Sequence, residues 1–386
     1  MDMNVIYLDT ASSTPVAQEV IDVMLGYLGA GSCYYNPSSA GHILGQQAAD
    51  SVLEAKSVIA NLLGCHSDEV IFTSGATEAN NLALRGIAYA HAATGRHLVT
   101  SLIEHKSVLE TCHALEHKGF VVTYLKPNSH GRIDPETVQK ALRPDTLMVS
   151  LQYINNETGV IQPIHEIAAL LEDAGVLFHV DAAQAVGKFA IDLEKTPIDL
   201  LSLSAHKFYG PKGIGCLIIR NRRYLKLEPM LTGGGQEFGL RSGTLPTHQI
   251  HGLKAALALA CNCQTKNYTH VCDLKRQFIE GLQQSLSIKI HGDVAHSSPY
   301  IVNFSVKGIS TEALINQLSA AVALSSGSAC SSGTIDPSYV LRAMGIEGED
   351  LYGAVRASFS QYHQYSEISA AVRHIISAVQ RMQELE

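Results

Sequence analysis

The run Leu201-Ser202-Leu203-Ser204-Ala205-His206-Lys207-Phe208-Tyr209-Gly210-Pro211-Lys212-Gly213-Ile214-Gly215 decides how this chain is read. Its apolar start predicts a strand. Ser204, His206 and Lys207 stand at the strand end, and a Gly/Pro-rich turn follows. The strand would fix the lysine backbone, and the turn would leave room for a bound group. Upstream, Val176, Leu177, Phe178 and Val180 form another apolar run that ends in Asp181, with Gln184 just beyond. Taken singly, a lysine after a strand is commonly solvated and an aspartate there is commonly a helix N-cap. Together, with Ser204 and His206 beside the lysine, they match the needs of pyridoxal phosphate. That cofactor takes a lysine for its imine and an acid that keeps a proton on its pyridine nitrogen.

Outward from this pair, strand-like and helix-like runs alternate from about residue 47 to 220. Strands are predicted at Val70–Thr73, His97–Ile103, Val121–Leu125, Leu147–Ile154, Leu177–Val180, Leu200–Ser204 and Cys216–Arg220. Helices are predicted at Gln46–Leu63 and Glu78–Thr94. This alternation predicts an α/β fold with a mainly parallel seven-stranded sheet and helices on both faces. Further helical patterns lie at Thr247–Cys263, Cys272–Ser285, Ser310–Ala320 and Ser366–Leu385, with a strand at Tyr300–Val306. A domain change is expected near residue 260. The large cofactor-binding domain would span 14–260, and a smaller α+β domain would combine 1–13 with 261–386.

The 386 residues are 46% hydrophobic and 17% charged, enough for a large core and unlike a disordered chain. The formal net charge of −8 argues against a general nucleic-acid-binding surface. No membrane partner is expected, because no window holds the ~18 apolar residues of a membrane span. The N-terminus lacks the pattern of a signal peptide, so a cytoplasmic location is expected. The eight cysteines are Cys33, Cys65, Cys112, Cys216, Cys261, Cys263, Cys272 and Cys330. None forms a CxxC pair, and Cys261 and Cys263 would lie on different faces of a helix. No metal site is expected. Most of the eight read as apolar packing residues.

Several other segments carry candidate chemistry. Thr73-Ser74-Gly75-Ala76-Thr77-Glu78-Ala79-Asn80-Asn81 follows a strand and opens a helix. Ala76 and Thr77 could hold an anion at the helix N-terminus, although such a run can be a simple cap. Gly233-Gly234-Gly235, followed by Arg241-Ser242-Gly243-Thr244, could form a second anion loop. His105, after a strand, could stack on a flat ring and move protons. Asn156 could donate to a carboxylate or a ring oxygen, and Arg356 could clamp a carboxylate. Cys330 sits in Ser325-Ser326-Gly327-Ser328-Ala329-Cys330-Ser331-Ser332-Gly333, which offers no apolar partners. It reads as an available nucleophile in a mobile loop.

Taken together, these residues resemble the cysteine desulfurases of the NifS/IscS type, fold-type-I pyridoxal-phosphate enzymes. The resemblance runs from Tyr7-Leu8-Asp9 to about Ile375. It rests on Tyr7–Pro15, Asn36–Ser39, Gly75–Asn80, Glu104–His105, Asn155–Gly159, His179–Gln184, Ser204–Lys207, Arg241–Thr244 and Ser325–Cys330. The run around Cys330 is similar to the first group of these enzymes, those with a long cysteine loop. The resemblance implies a conversion of L-cysteine to L-alanine, with the sulfur held as a Cys330 persulfide. Lys207 would form the Schiff base, Asp181 would face the ring nitrogen and Gln184 the ring hydroxyl. His105 would stack on the ring and serve in proton transfer. Thr77, Ser204 and His206 would hold the phosphate, with Thr244 arriving from the other subunit of a homodimer. Asn156 and Arg356 would bind the substrate carboxylate.

Three departures from the family pattern stand out. Phe238 replaces an arginine, so an ion pair made there is missing. Ser360-Gln361 replaces a Gly-Arg pair. The chain also ends soon after its last helix, without the longer tail with which housekeeping members dock an iron–sulfur scaffold. The sulfur acceptor is therefore expected elsewhere, in tRNA thiolation, a cofactor pathway or DNA modification. The rival readings are a selenocysteine lyase, an aminotransferase of the same fold and a scaffold that has lost catalysis. An aminotransferase has no need of Cys330. The joint presence of Lys207, Asp181, His105 and Cys330 argues against a scaffold.

Overall fold

The computed structural model describes residues 5–326 and 337–384. Its first half runs β1 (Ile6–Tyr7), α1 (Gln18–Leu25), α2 (Ile43–Leu63), β2 (Val70–Thr73), α3 (Ala76–Ala90), β3 (His97–Ser101), α4 (Lys106–Glu116), β4 (Val121–Leu125), α5 (Pro135–Ala141), β5 (Thr146–Gln152) and α6 (Ile164–Ala174). Next come β6 (Leu177–Asp181), β7 (Leu200–Ser204), β8 (Gly215–Ile219), α7 (Thr247–Asn262) and α8 (Gln264–Gln283). The remainder is β9 (Ile288–His291), β10 (Ile301–Val306), α9 (Thr311–Leu318), β11 (Val322–Ala323), α10 (Tyr339–Ala343), α11 (Gly348–Tyr352), β12 (Ala354–Ser358) and α12 (Tyr365–Gln383).

Strands β2–β8 form one seven-stranded sheet in the order β2-β8-β7-β6-β5-β3-β4. The pairs from β4 to β7 are parallel, whereas β8 runs antiparallel to both its neighbours, β2 and β7. The reversal has a local cause. The Gly/Pro-rich turn after Lys207 is too short for the crossover that a parallel neighbour needs, so the chain doubles back. Side chains alternate between the faces. Val70, Phe72, Leu201, Leu203, Cys216 and Ile218 join the core beneath α2, α6 and α7. Ile71, Leu200, Leu217 and Ile219 join the core beneath α3 and α4. This period of two, with both faces covered, explains why the strands read as continuous apolar runs.

A second sheet, ordered β12-β10-β9, is antiparallel. Its core combines Phe304, Val355 and Phe359 with Val271, Leu274 and Phe278 of α8, Ile368 and Ile375 of α12, and Leu8 from the N-terminal segment. Ile250, Leu253 and Leu257 of α7 belong to the first core, so the packing partner changes between α7 and α8. Helix α8 begins eight residues before the Cys272 start that the sequence pattern predicts. No helix among the described residues is long and apolar enough to cross a membrane. Cys112 and Cys216 are buried, but Cys33, Cys65, Cys261, Cys263 and Cys272 are only half-buried. Cys65 and Cys261 nevertheless pack against the first core, so four of the seven described cysteines are apolar packing residues, whereas Cys33, Cys263 and Cys272 join no core. Cys330 lies outside the described residues.

Candidate active site

The carboxyl ends of the parallel strands converge on a cavity of ≈ 520 Å³. The segment after β2 delivers Ala76 and Thr77 at the start of α3, the segment after β3 delivers His105, and that after β5 delivers Asn156. Strand β6 ends in Asp181, with Gln184 in the turn beyond. Strand β7 ends in Ser204 and leads to His206 and Lys207. Arg356 comes from β12. All ten of these residues line the cavity. Thr244 does not line it and is exposed.

Asp181 is held from two sides. Its Oδ2 accepts from Asn80 Nδ2 at 2.7 Å, and its Oδ1 accepts from the Ala183 N–H at 3.0 Å. Asn80 Nδ2 also donates to Ser107 Oγ at 2.8 Å. Ser107 in turn donates its N–H to His105 Nδ1 at 3.1 Å, and its Oγ stands 2.8 Å from the same nitrogen. With Nδ1 accepting, the proton of the neutral ring sits on Nε2. Burial lowers the His105 pKa and so favours that neutral form. Below Asp181, His179 bridges Ser150 and Ser202 across three strands, and burial holds its pKa near about 4.

Lys207 lies in a short turn, Ala205–Lys207, and its Nζ donates to the Ala11 and Ser12 carbonyls at 2.6 and 2.8 Å. Burial first, then the Arg356 charge, lower its pKa to about 8, against the pull of Asp181 and Asp9. His206 is lowered to about 4 by burial and by the neighbouring lysines, so it stays neutral. At the mouth of α3, Gly75 has φ 150°, and a Cβ there would stand 3.3 Å from Ser204 Oγ. A side chain would fill the cradle between the helix start and Ser204.

Arg356 sits in the middle of β12. The sequence pattern leaves this stretch without a strand, because Ala354-Val355-Arg356-Ala357-Ser358 lacks alternation. Its guanidinium is buried. Nη1 donates to the Asn156 carbonyl at 2.8 Å, and Nη2 donates to Asp9 Oδ1 at 2.6 Å and Ser12 Oγ at 2.7 Å. Among the described residues, Arg356 Nε and Asn156 Oδ1 are buried with no partner. Two unsatisfied buried polar groups on a cavity wall mark a place for a polar ligand. Ser325, which pairs with Arg356 through backbone hydrogen bonds, also lines the cavity, as does Tyr339. The described residues on either side of the Cys330 segment thus reach this wall.

The family pattern at Phe238 is also resolved. Phe238 has φ 58° and is exposed, with the Arg222 guanidinium 3.8 Å from its ring centroid. The guanidinium makes a cation–π contact with this ring. Ser360 Oγ pairs with the Tyr209 hydroxyl at 2.8 Å. The residues that position the site but carry no evident chemistry in sequence are Asp9, Ser12, Asn80 and Ser107. Asp9 and Asn80 lie inside recognisable motifs; Ser12 and Ser107 have no signal of their own.

The aminotransferase class-V family model matches residues 6–370. The chain belongs to the class-V aminotransferase family. Within that family its relatives are cysteine desulfurases. It is 43% identical over 380 residues to cysteine desulfurase IscS of Vibrio vulnificus, covering 98% of this chain and 94% of the relative. A solved NifS-like protein superimposes with a TM-score of 0.91 at 33% identity, covering 98% of this chain and all of the other. A second solved structure, SspA in complex with cysteine, gives a TM-score of 0.82 at 36% identity, covering 93% and 100%. The architecture is the fold-type-I transferase fold, and this class-V protein is a pyridoxal-phosphate-dependent enzyme. The residues present fit that cofactor. The start of α3 with Thr77, Ser204 and neutral His206 suits a phosphate, Asp181 a pyridinium, and Lys207 an imine link.

Proposed function

We propose that this protein is a homodimeric cysteine desulfurase that moves the sulfur of L-cysteine onto Cys330, releases L-alanine and passes the sulfur to an acceptor protein. The observation that carries the reading is the convergence of Lys207, Asp181 and Arg356 on one cavity whose flanking segments lead to Cys330. The division into a large domain over 14–260 and a smaller one from 1–13 and 261–386 belongs to the same proposal. So does a cytoplasmic location, where a transferable thiol stays reduced.

When bound, pyridoxal phosphate supplies an electron sink next to the substrate Cα. Asp181, fixed by Asn80 and Ala183, keeps the proton on the ring nitrogen. Thr77, Ser204 and His206 hold the phosphate. Arg356 binds the substrate carboxylate, using the Nε that has no partner, while Asn156 offers its amide beside it. Lys207, with a pKa lowered to about 8, has an appreciable neutral fraction near neutral pH and takes the proton from Cα. His105, neutral with its proton on Nε2, serves the ring side in proton transfer. Cys330 Sγ then takes the substrate sulfur. The S–S bond forms as Cβ–S breaks, the electron pair stays with the three-carbon fragment, and protonation yields alanine. Sulfur is formally oxidised and Cβ reduced, so no external oxidant is needed.

The test uses purified protein loaded with pyridoxal phosphate. Borohydride should fix the cofactor on the peptide containing Lys207. L-cysteine should release alanine and add one sulfur to the peptide containing Cys330. Cys330→Ser should bind L-cysteine yet release almost no alanine without added thiol. Sulfur found chiefly on Cys33, Cys65 or Cys112, or normal alanine release by the serine variant, would overturn the reading.

A further inference from the structure

Behind the cavity wall lies a second lysine that no step above uses. Lys188 is buried, and its Nζ donates to Gln184 Oε1 at 3.0 Å. Gln184 Nε2 in turn donates to the Ala11 carbonyl at 2.8 Å. That same carbonyl accepts from Lys207 Nζ at 2.6 Å. Lys188, Gln184, Ala11 and Lys207 therefore form one hydrogen-bonded row. The backbone enforces it. Gly187 has φ 78°, and a Cβ there would stand 2.7 Å from Phe208 Cβ. Only glycine lets this turn close against Phe208, and the turn brings Lys188 back over Gln184. The Tyr300 ring, its centroid 5.5 Å from Nζ, covers the amine with a π face.

The row fixes which way the Gln184 amide points. The Ala11 oxygen can only accept, so the NH2 group must face it. Lys188 donates, so Oε1 must face the amine. Turning the amide over would set oxygen against oxygen at one end and donor against donor at the other. The NH2 group carries two protons, and Ala11 takes one. Gln184 lines the cavity, so the other proton serves a ligand there. We propose that Lys188 is a positioning residue, which holds Gln184 as a hydrogen-bond donor to an anionic oxygen on the cofactor ring and keeps it in register with Lys207. This inference rests on the cofactor reading above. The charged groups that bear on Lys188 are Lys207 and Arg356, which with burial lower its pKa to about 7. The neutral amine still has N–H to donate, so the row survives that titration.

Lys188→Met keeps length and apolar bulk and removes the donor. Two readouts on purified holoprotein decide the matter: the dissociation constant for pyridoxal phosphate, and the pH midpoint at which the bound cofactor changes its absorbance. The constant should rise about tenfold, as expected for one hydrogen bond to a charged group. The midpoint should move up by about one unit, because the ring oxygen loses the donor that stabilised its anion. A purely structural lysine would lower the melting temperature and leave the midpoint in place. Gln184→Leu should give the same shift, and adding Lys188→Met to it should add nothing. Should Lys188→Met not fold, Gln184→Glu serves, since it keeps a partner for Lys188 and presents a carboxylate in place of the donor; its midpoint must also rise. An unchanged midpoint in any folded variant, or a further shift in the double variant, overturns the proposal. Cofactor uptake by the unaltered protein separates that outcome from failure of the functional reading, in which the parent itself would not load.

Discussion

At Lys207 the folded chain holds an amine whose charge water would keep up to pH 10.5 and whose pKa burial lowers to about 8. The sign of the effect on stability follows. Between those two values the unfolded chain binds more protons than the folded one, so the cofactor-free protein gains stability as pH rises through this window. Lys207→Met should flatten that part of the profile. It should also stabilise the cofactor-free protein at pH 7, on the order of 1–3 kcal/mol after the hydrogen bonds to Ala11 and Ser12 are lost. Lys188 and Lys275, lowered to about 7 and about 8, retain their own share of the slope. Denaturant titrations of the cofactor-free protein at pH 7 and 10 check this; equal stability losses at both would show that the amine is not strained. A site residue held against its ordinary protonation is the usual cost of function, and here one substitution separates the two.

Among the elements, the segment around Glu237 decides how the loop that carries Thr244 is anchored. Glu237 Oε2 pairs with Lys56 Nζ at 2.9 Å and accepts from the Phe72 N–H of β2 at 2.7 Å, with both side chains almost wholly buried. Arg241 then pairs with Glu78, in the first turn of α3, at 2.9 Å. Glu237→Gln leaves Lys56 buried without its counter-charge and should cost about 3 kcal/mol in chemical denaturation. Lys56→Met combined with Glu237→Gln should cost less than the sum of the two. Additive losses would show that the two side chains do not act as a pair. Little of this anchoring can be read in the sequence, because Lys56 and Glu237 are far apart in the chain. The main sheet is legible for the opposite reason: strands buried on both faces are largely apolar runs, as in Gly215–Ile219. The site residues Lys207, Asp181, His105 and Ser204 are legible because each stands just where such a run stops. Helix α4, which is not among the predicted helices, does carry a helical signal, since Val108, Cys112 and Leu115 recur at helical spacing on its buried face. The contacts of Asn80 with Ser107 and Asp181, and of Gln184 with Ala11, are invisible in sequence, because they join segments that are distant in the chain.

For the whole molecule, the decisive fact is that ten candidate residues share one cavity while Thr244 lies exposed outside it. The proposed symmetric dimer gives this threonine its role, because the same segment would then serve the neighbour's cavity. The prediction is a complementation experiment. Lys207→Ala removes the lysine from its own cavity, and Thr244→Asp sets a negative charge against the phosphate wherever residue 244 is delivered. Each variant alone should be nearly inactive in alanine release. When the two are mixed and allowed to exchange subunits, the heterodimer contains one cavity with Lys207 from one chain and Thr244 from the other. Random exchange gives about half heterodimers with one intact cavity each, so about a quarter of the parental activity should return. If Thr244 acted within its own chain, both cavities of the heterodimer would carry a lesion and no activity would return. Sedimentation of the mixture fixes the fraction of dimer, so that a lack of recovery in a fully exchanged sample counts against the shared site, not against the mixing.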